Sequence, residues 1–112
     1  MATSRNSTTY PIRQLTRIAV QRGHDEVTVV IYGDGMLPYR VVAVGGNRLG
    51  VDLPYVVTSL SFQVLPVVHQ LLQEIQISPH AEKLRLVFVV KRPVRYAIKT
   101  RENILAIRLK GR

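Results

Sequence analysis

Apolar and polar residues alternate along most of this chain. Ile18 and Val20 alternate with Arg17, Ala19 and Gln21; Val27, Val29 and Ile31 with Thr28, Val30 and Tyr32; Leu49, Val51 and Leu53 with Arg48, Gly50 and Asp52. A period of two predicts strands with one apolar and one mixed face. Turn residues separate these runs at Arg22-Gly23-His24-Asp25, Gly33-Asp34-Gly35 and Gly45-Gly46-Asn47, a spacing typical of antiparallel hairpins. Later, Leu84, Leu86 and Phe88 alternate with Arg85, Val87 and Val89, and Leu105, Ile107 and Leu109 with Ala106, Arg108 and Lys110. Their turns fall near Ser78-Pro79-His80-Ala81, Lys91-Arg92-Pro93 and Thr100-Arg101-Glu102-Asn103.

The two sets of strands resemble each other. Ile18, Val20, Val27, Val29, Ile31, Tyr39 and Val41 recur 57 positions on as Ile75, Ile77, Leu84, Leu86, Phe88, Tyr96 and Ile98. One residue is then lost, and Asn47, Leu49, Val51 and Leu53 match Asn103, Leu105, Ile107 and Leu109 at a spacing of 56. A coincident Tyr and Asn in the correct order favour an internal duplication. The expected fold is therefore all-β: a sandwich of two symmetric antiparallel sheets, from repeat halves at about 15–54 and 72–110. Residues 1–13, polar up to Pro11, read as a disordered lead or linker, and 14–110 as a single domain. In the connector, Leu60, Phe62 and Val64 alternate like a strand, and Pro66 ahead of Val68, Leu71 and Leu72 predicts a short helical turn. The expected core is Ile18, Val20, Val29, Ile31, Val51, Leu53, Ile75, Ile77, Leu86, Phe88, Ile107 and Leu109.

Charge changes the picture more than size does. The 112 residues suit one domain, and the net charge of +9 is skewed. Residues 73–112 hold ten Lys and Arg against three Glu, whereas residues 1–72 hold six against four acids. Arg85, Lys91, Arg92, Arg95, Lys99, Arg101, Arg108 and Lys110 are the basic positions expected to point outward. Such a surface attracts nucleic acid, anionic lipid headgroups or anionic cell-wall glycan, and equally keeps a sheet face from aggregating. Trp is absent and Tyr scattered, which disfavours base stacking. No stretch resembles a signal peptide or a membrane span.

Catalytic chemistry has little to stand on. With no Cys, disulfides, thiolate metal sites and a Cys nucleophile are excluded. His24, His69 and His80 have no second ligand at metal spacing, and Asp25-Glu26 reads as a hairpin feature rather than an acid/base pair. The glycine pairs precede no helix and no Lys-Ser/Thr, so they are not phosphate loops. No enzyme activity, cofactor or metal is expected.

Tyr39-Arg40-Val41 followed by Asn47-Arg48-Leu49-Gly50-Val51-Asp52-Leu53-Pro54 resembles the "PYxV…NPxRLVVDLP" pattern of the AMIN domain, the amidase amino-terminal module. Leu71 to His80 with Leu84-Arg85-Leu86-Val87-Phe88 is similar to its "LVxxIRIGxH…RLVLDL" stretch, so that the likeness covers roughly residues 14–110. Gly50 stands where that pattern has Val or Ile, and Gln76 where it has Arg. The resemblance implies a noncatalytic periplasmic module, its export signal removed or lying outside this chain. It also implies peptidoglycan as partner, with a periplasmic protein as a second kind of partner, and an amidase or type IV pilus secretin as parent. The residues it marks for ligand binding are Tyr39, Arg48 and Asp52, with Arg85 and Tyr96 added through the repeat and Arg95 and Arg108 through charge. Arg48 and Asp52, four apart on one strand, share its outer face and suit an ion pair as well as a ligand. The competing reading is a cytoplasmic basic β-domain that binds nucleic acid.

Overall fold

The computed structural model describes residues 12–112, so the expected lead at 1–13 lies outside the described residues except at its end. Ten strands follow one another: β1 Arg13–Gly23, β2 Glu26–Gly33, β3 Arg40–Ala43, β4 Arg48–Pro54, β5 Val56–Thr58, β6 Val64–Pro66, β7 Leu72–Pro79, β8 Lys83–Val90, β9 Val94–Arg101 and β10 Ile104–Gly111. They form two five-stranded sheets, ordered β5-β1-β2-β10-β9 (sheet A) and β3-β4-β8-β7-β6 (sheet B). Every pairing is antiparallel except the short parallel contact of β5 with β1. The described residues contain no helix.

Neither half of the chain makes a sheet of its own. The β1–β2 hairpin is completed by β10 and β9, and the β7–β8 hairpin by β4 and β3. Expecting one sheet from 15–54 and the other from 72–110 is thus corrected: the strands interleave. Central strands β2 and β8 carry the same burial sequence, with Val30 and Val87 buried even on the outer faces. Both bulges fall at matching places, Leu15/Arg17 in β1 and Leu72/Glu74 in β7.

The inward face follows the period of two. Val29, Ile31, Val51, Leu53, Ile75, Ile77, Leu86, Phe88, Ile107 and Leu109 are buried, as expected. Ile18 and Val20 point inward but are only half-buried. The reason is the edge: β5 covers only Arg13 to Leu15 of β1, whereas β6 lies alongside Glu74 to Gln76 and shelters Ile75.

The expected helical turn is absent. Pro66 instead closes edge strand β6 opposite Glu74, where its missing N–H costs no ladder bond. Two of the following amides bond within the connector and to β7: Val67 N–H to the Gln73 carbonyl at 2.9 Å, and Leu71 N–H to His69 Nδ1 at 3.1 Å. Because Nδ1 accepts there, Nε2 carries the proton and donates to the Gly23 carbonyl at 2.9 Å. His69 therefore clips the connector to the end of β1. The chain changes sheets at Tyr55, whose left-handed φ of 56° bends it from β4 in sheet B to β5 in sheet A.

Phe88, fully buried on a central strand, tests this core. Phe88→Ala is expected to cost about 3–5 kcal/mol in denaturant unfolding, and a loss under about 1 kcal/mol would contradict its place there.

Candidate functional site

Register places every polar side chain of β4 and β8. On the outer face of sheet B, Asp52 stands opposite Arg40 on one side and Arg85 on the other. Its side chain is 5% exposed, and it is the only charged residue buried among the described residues. Arg85 grips it with two bonds, Nε at 2.7 Å and a terminal nitrogen at 3.1 Å, and Lys83 Nζ approaches to 3.2 Å. A planar guanidinium matches a carboxylate in this geometry. The Arg85 bonds, more than Lys83, hold the Asp52 carboxyl down at about 2 despite burial, which acts the other way. Arg85 is in turn held more firmly protonated. A cavity of about 160 Å³ lies beside this cluster, lined by Arg40, Asp52, Pro54, Tyr55, Glu82 and Lys83.

Arg48 does not pair with Asp52. Its Nε and a terminal nitrogen donate to the carbonyls of Gly45 and Val44 at 3.2 and 3.0 Å, which holds the left-handed Gly45-Gly46 loop before β4. Gly50 between them has a packing reason: a Cβ there would meet Val42 Cγ2 at 2.7 Å and Val44 Cγ1 at 2.9 Å. These valines lie over the strand where the AMIN pattern has Val or Ile.

The outer face of sheet A is different in kind. Cross-strand partners put Arg17, Tyr32, Ile104 and Arg101 in one row; Ala19, Val30, Ala106 and Lys99 in the next; then Gln21, Thr28, Arg108 and Ala97; then Glu26, Lys110 and Arg95. Arg17, Arg95, Lys99, Arg101, Arg108 and Lys110 thus share a face with Glu26 alone among the acids. Glu26 reaches Arg108 only at 4.0 Å, between exposed groups, a contact of little worth. Small side chains floor the middle, where Thr28, Ala97, Lys99, Ala106 and Arg108 line a shallow dish of about 120 Å³. The Arg17 guanidinium sits 5.1 Å from the Tyr32 ring centre and covers the one aromatic in these rows.

The expected binding residues are divided by this arrangement. Arg95 and Arg108 lie on sheet A, Asp52 and Arg85 on sheet B, so the basic positions of the second half do not form one surface. Arg92 is on neither: in the β8–β9 turn it bonds Asp25 of the β1–β2 turn at 2.5 Å. Tyr39 is exposed just ahead of β3. Tyr96 and Arg48 both line an open crevice of about 340 Å³, with Leu49, Val90, Val94 and Arg112. Arg17 joins this face only through the pairing of β2 with β10, which brings β1 into one sheet with β9 and which a period of two does not specify. No three His, Asp or Glu side chains converge as metal ligands among the described residues.

Asp52 yields a pH prediction. Its folded-state pKa lies below the ordinary 3.8, so on acidification the unfolded chain takes up the proton first. The stability it contributes, about 2 kcal/mol, is whole above about pH 4 and lost as pH falls through about 2. Asp52→Asn is expected to lower stability at pH 7 and to flatten that acid limb in urea titrations at several pH values. An unchanged limb would show that the ion pair carries none of it.

No protein-family model, curated protein or solved structure matches this chain.

Proposed function

We propose that this chain is a noncatalytic module of the AMIN type that binds peptidoglycan in the periplasm and so localises its parent protein, a secretin or a cell-wall amidase. The observation that carries the reading is the outer face of sheet A, with six cations against Glu26 around a shallow floor of small residues. Glycan strands bearing peptide carboxylates are polyanionic, and a sheet face of fixed cations suits a long, repetitive anion better than a small substrate. Arg48 and Tyr96 at the crevice add a second contact region near one end of β9.

An origin by internal duplication belongs to the same reading. It is supported by matched hydrogen bonds: Gly33 N–H to Asn103 carbonyl repeats as Val90 N–H to Asn47 carbonyl, and Asp34 N–H to Gln14 carbonyl as Lys91 N–H to Leu71 carbonyl. The residues are related by the 57-residue spacing of the sequence, except Asn47 and Asn103, which are 56 apart.

The test is retention on purified sacculi, run beside duplex DNA and single-stranded RNA. Binding is expected to fall as salt rises, since exposed charges are screened within about 8 Å at physiological ionic strength. It should fall further in a Lys99→Glu, Arg108→Glu variant whose thermal unfolding is unchanged. Arg85 is left intact because its loss would strand Asp52. Retention on nucleic acid but not on sacculi would reject the cell-wall reading.

A further inference from the structure

Four strands form the edges of the two sheets, and three of them are short. β3 has four residues, β5 and β6 three each, whereas β9 runs for eight, Val94 to Arg101. Among the described residues β9 pairs only with β10, so its other edge offers a row of backbone donors and acceptors. Long bare edges invite a further strand, and proteins ordinarily shorten or cover them.

What such a strand must be is written in the side chains of β9. Outward stand Arg95, Lys99 and Arg101; inward stand Tyr96 and Ile98, and Tyr96 is 48% exposed because no strand lies beside it. The segment holds no acidic residue. A second copy of β9 added antiparallel would bring the same cations onto one face, where like charges oppose pairing. An acidic strand meets the opposite field. Its alternate side chains would fall toward Tyr96 and the crevice beside Leu49 and Val94, which needs apolar groups.

We propose that β9 is a docking edge for an extended acidic segment of a partner protein, with carboxylates alternating with apolar residues, which joins sheet A as a further strand. Backbone bonds supply the affinity in this mode and the alternating side chains the selectivity. The surface is distinct from a purely electrostatic one, since it requires donors and acceptors on the incoming backbone.

The probe is a peptide of about ten residues alternating Glu with Val, titrated against the full chain by NMR with amide hydrogen exchange. Protection is expected within Val94–Arg101. The same peptide N-methylated on alternate residues keeps its charge but loses the donors of one edge, and is expected to bind about tenfold or more weakly. An Arg95→Glu, Lys99→Glu variant with unchanged thermal unfolding should lose the Glu peptide and accept one alternating Lys with Val. Equal binding of the N-methylated peptide, protection outside β9, or no binding at millimolar peptide would each overturn the proposal. Sacculus retention is not read here, so the two readings stand or fall separately.

Discussion

The pairing of β2 with β10 and of β4 with β8 governs the rest of this molecule. Through these two contacts each sheet draws its inner strands from both halves of the sequence, so neither hairpin set can bury its apolar face without the other. The core between the sheets, with Phe88, Ile31, Leu53 and Ile107 fully enclosed, is consequently one cooperative unit. In sheet A its central contacts join residues some eighty apart, Val27 with Leu109 for instance, and such closure is entropically costly and slow to form.

Polar groups are arranged to serve that interleaving. Asp52 on β4 and Arg85 on β8 tie the first half to the second across sheet B, and the Asp25–Arg92 pair does so between turns. The two differ in weight. Asp52 is shielded from water, so its charge is held by fixed partners, while the Asp25 pair is half-exposed and screened. His69 works by geometry alone, spending both ring nitrogens to hold the connector against β1.

The same topology sorts the surface. Sheet B turns outward a buried carboxylate held by Arg85 and Lys83 beside valines over Gly50, and sheet A a field of cations. Net charge alone would have spread these groups evenly. The surface is thus partitioned into the Asp52 cluster, one basic face and one long edge.

Alternation along the chain was enough to determine the long strands, the turns and half of the buried core, because the facing of Val29 or Leu86 depends only on local backbone geometry. Glycines and polar clusters likewise marked the hairpin turns, where φ demands are local. Bulges stand at matching places, Leu15 and Leu72, 57 residues apart, which alternation does not indicate. Pairing partners were not legible. Nothing in the period of two says that β2 lies beside β10, which sets Arg17 on one face with Arg108, or that β4 lies beside β8, which gives Asp52 to Arg85 and leaves Arg48 to the Gly45 carbonyl. The connector failed for a related reason: Pro66 suits a helix start and an edge strand alike, and only the neighbouring Glu74 decided between them. Local pattern fixes which side of a strand faces inward, but which strand it meets is settled by contacts far apart in sequence, through burial that only the assembled sheets provide.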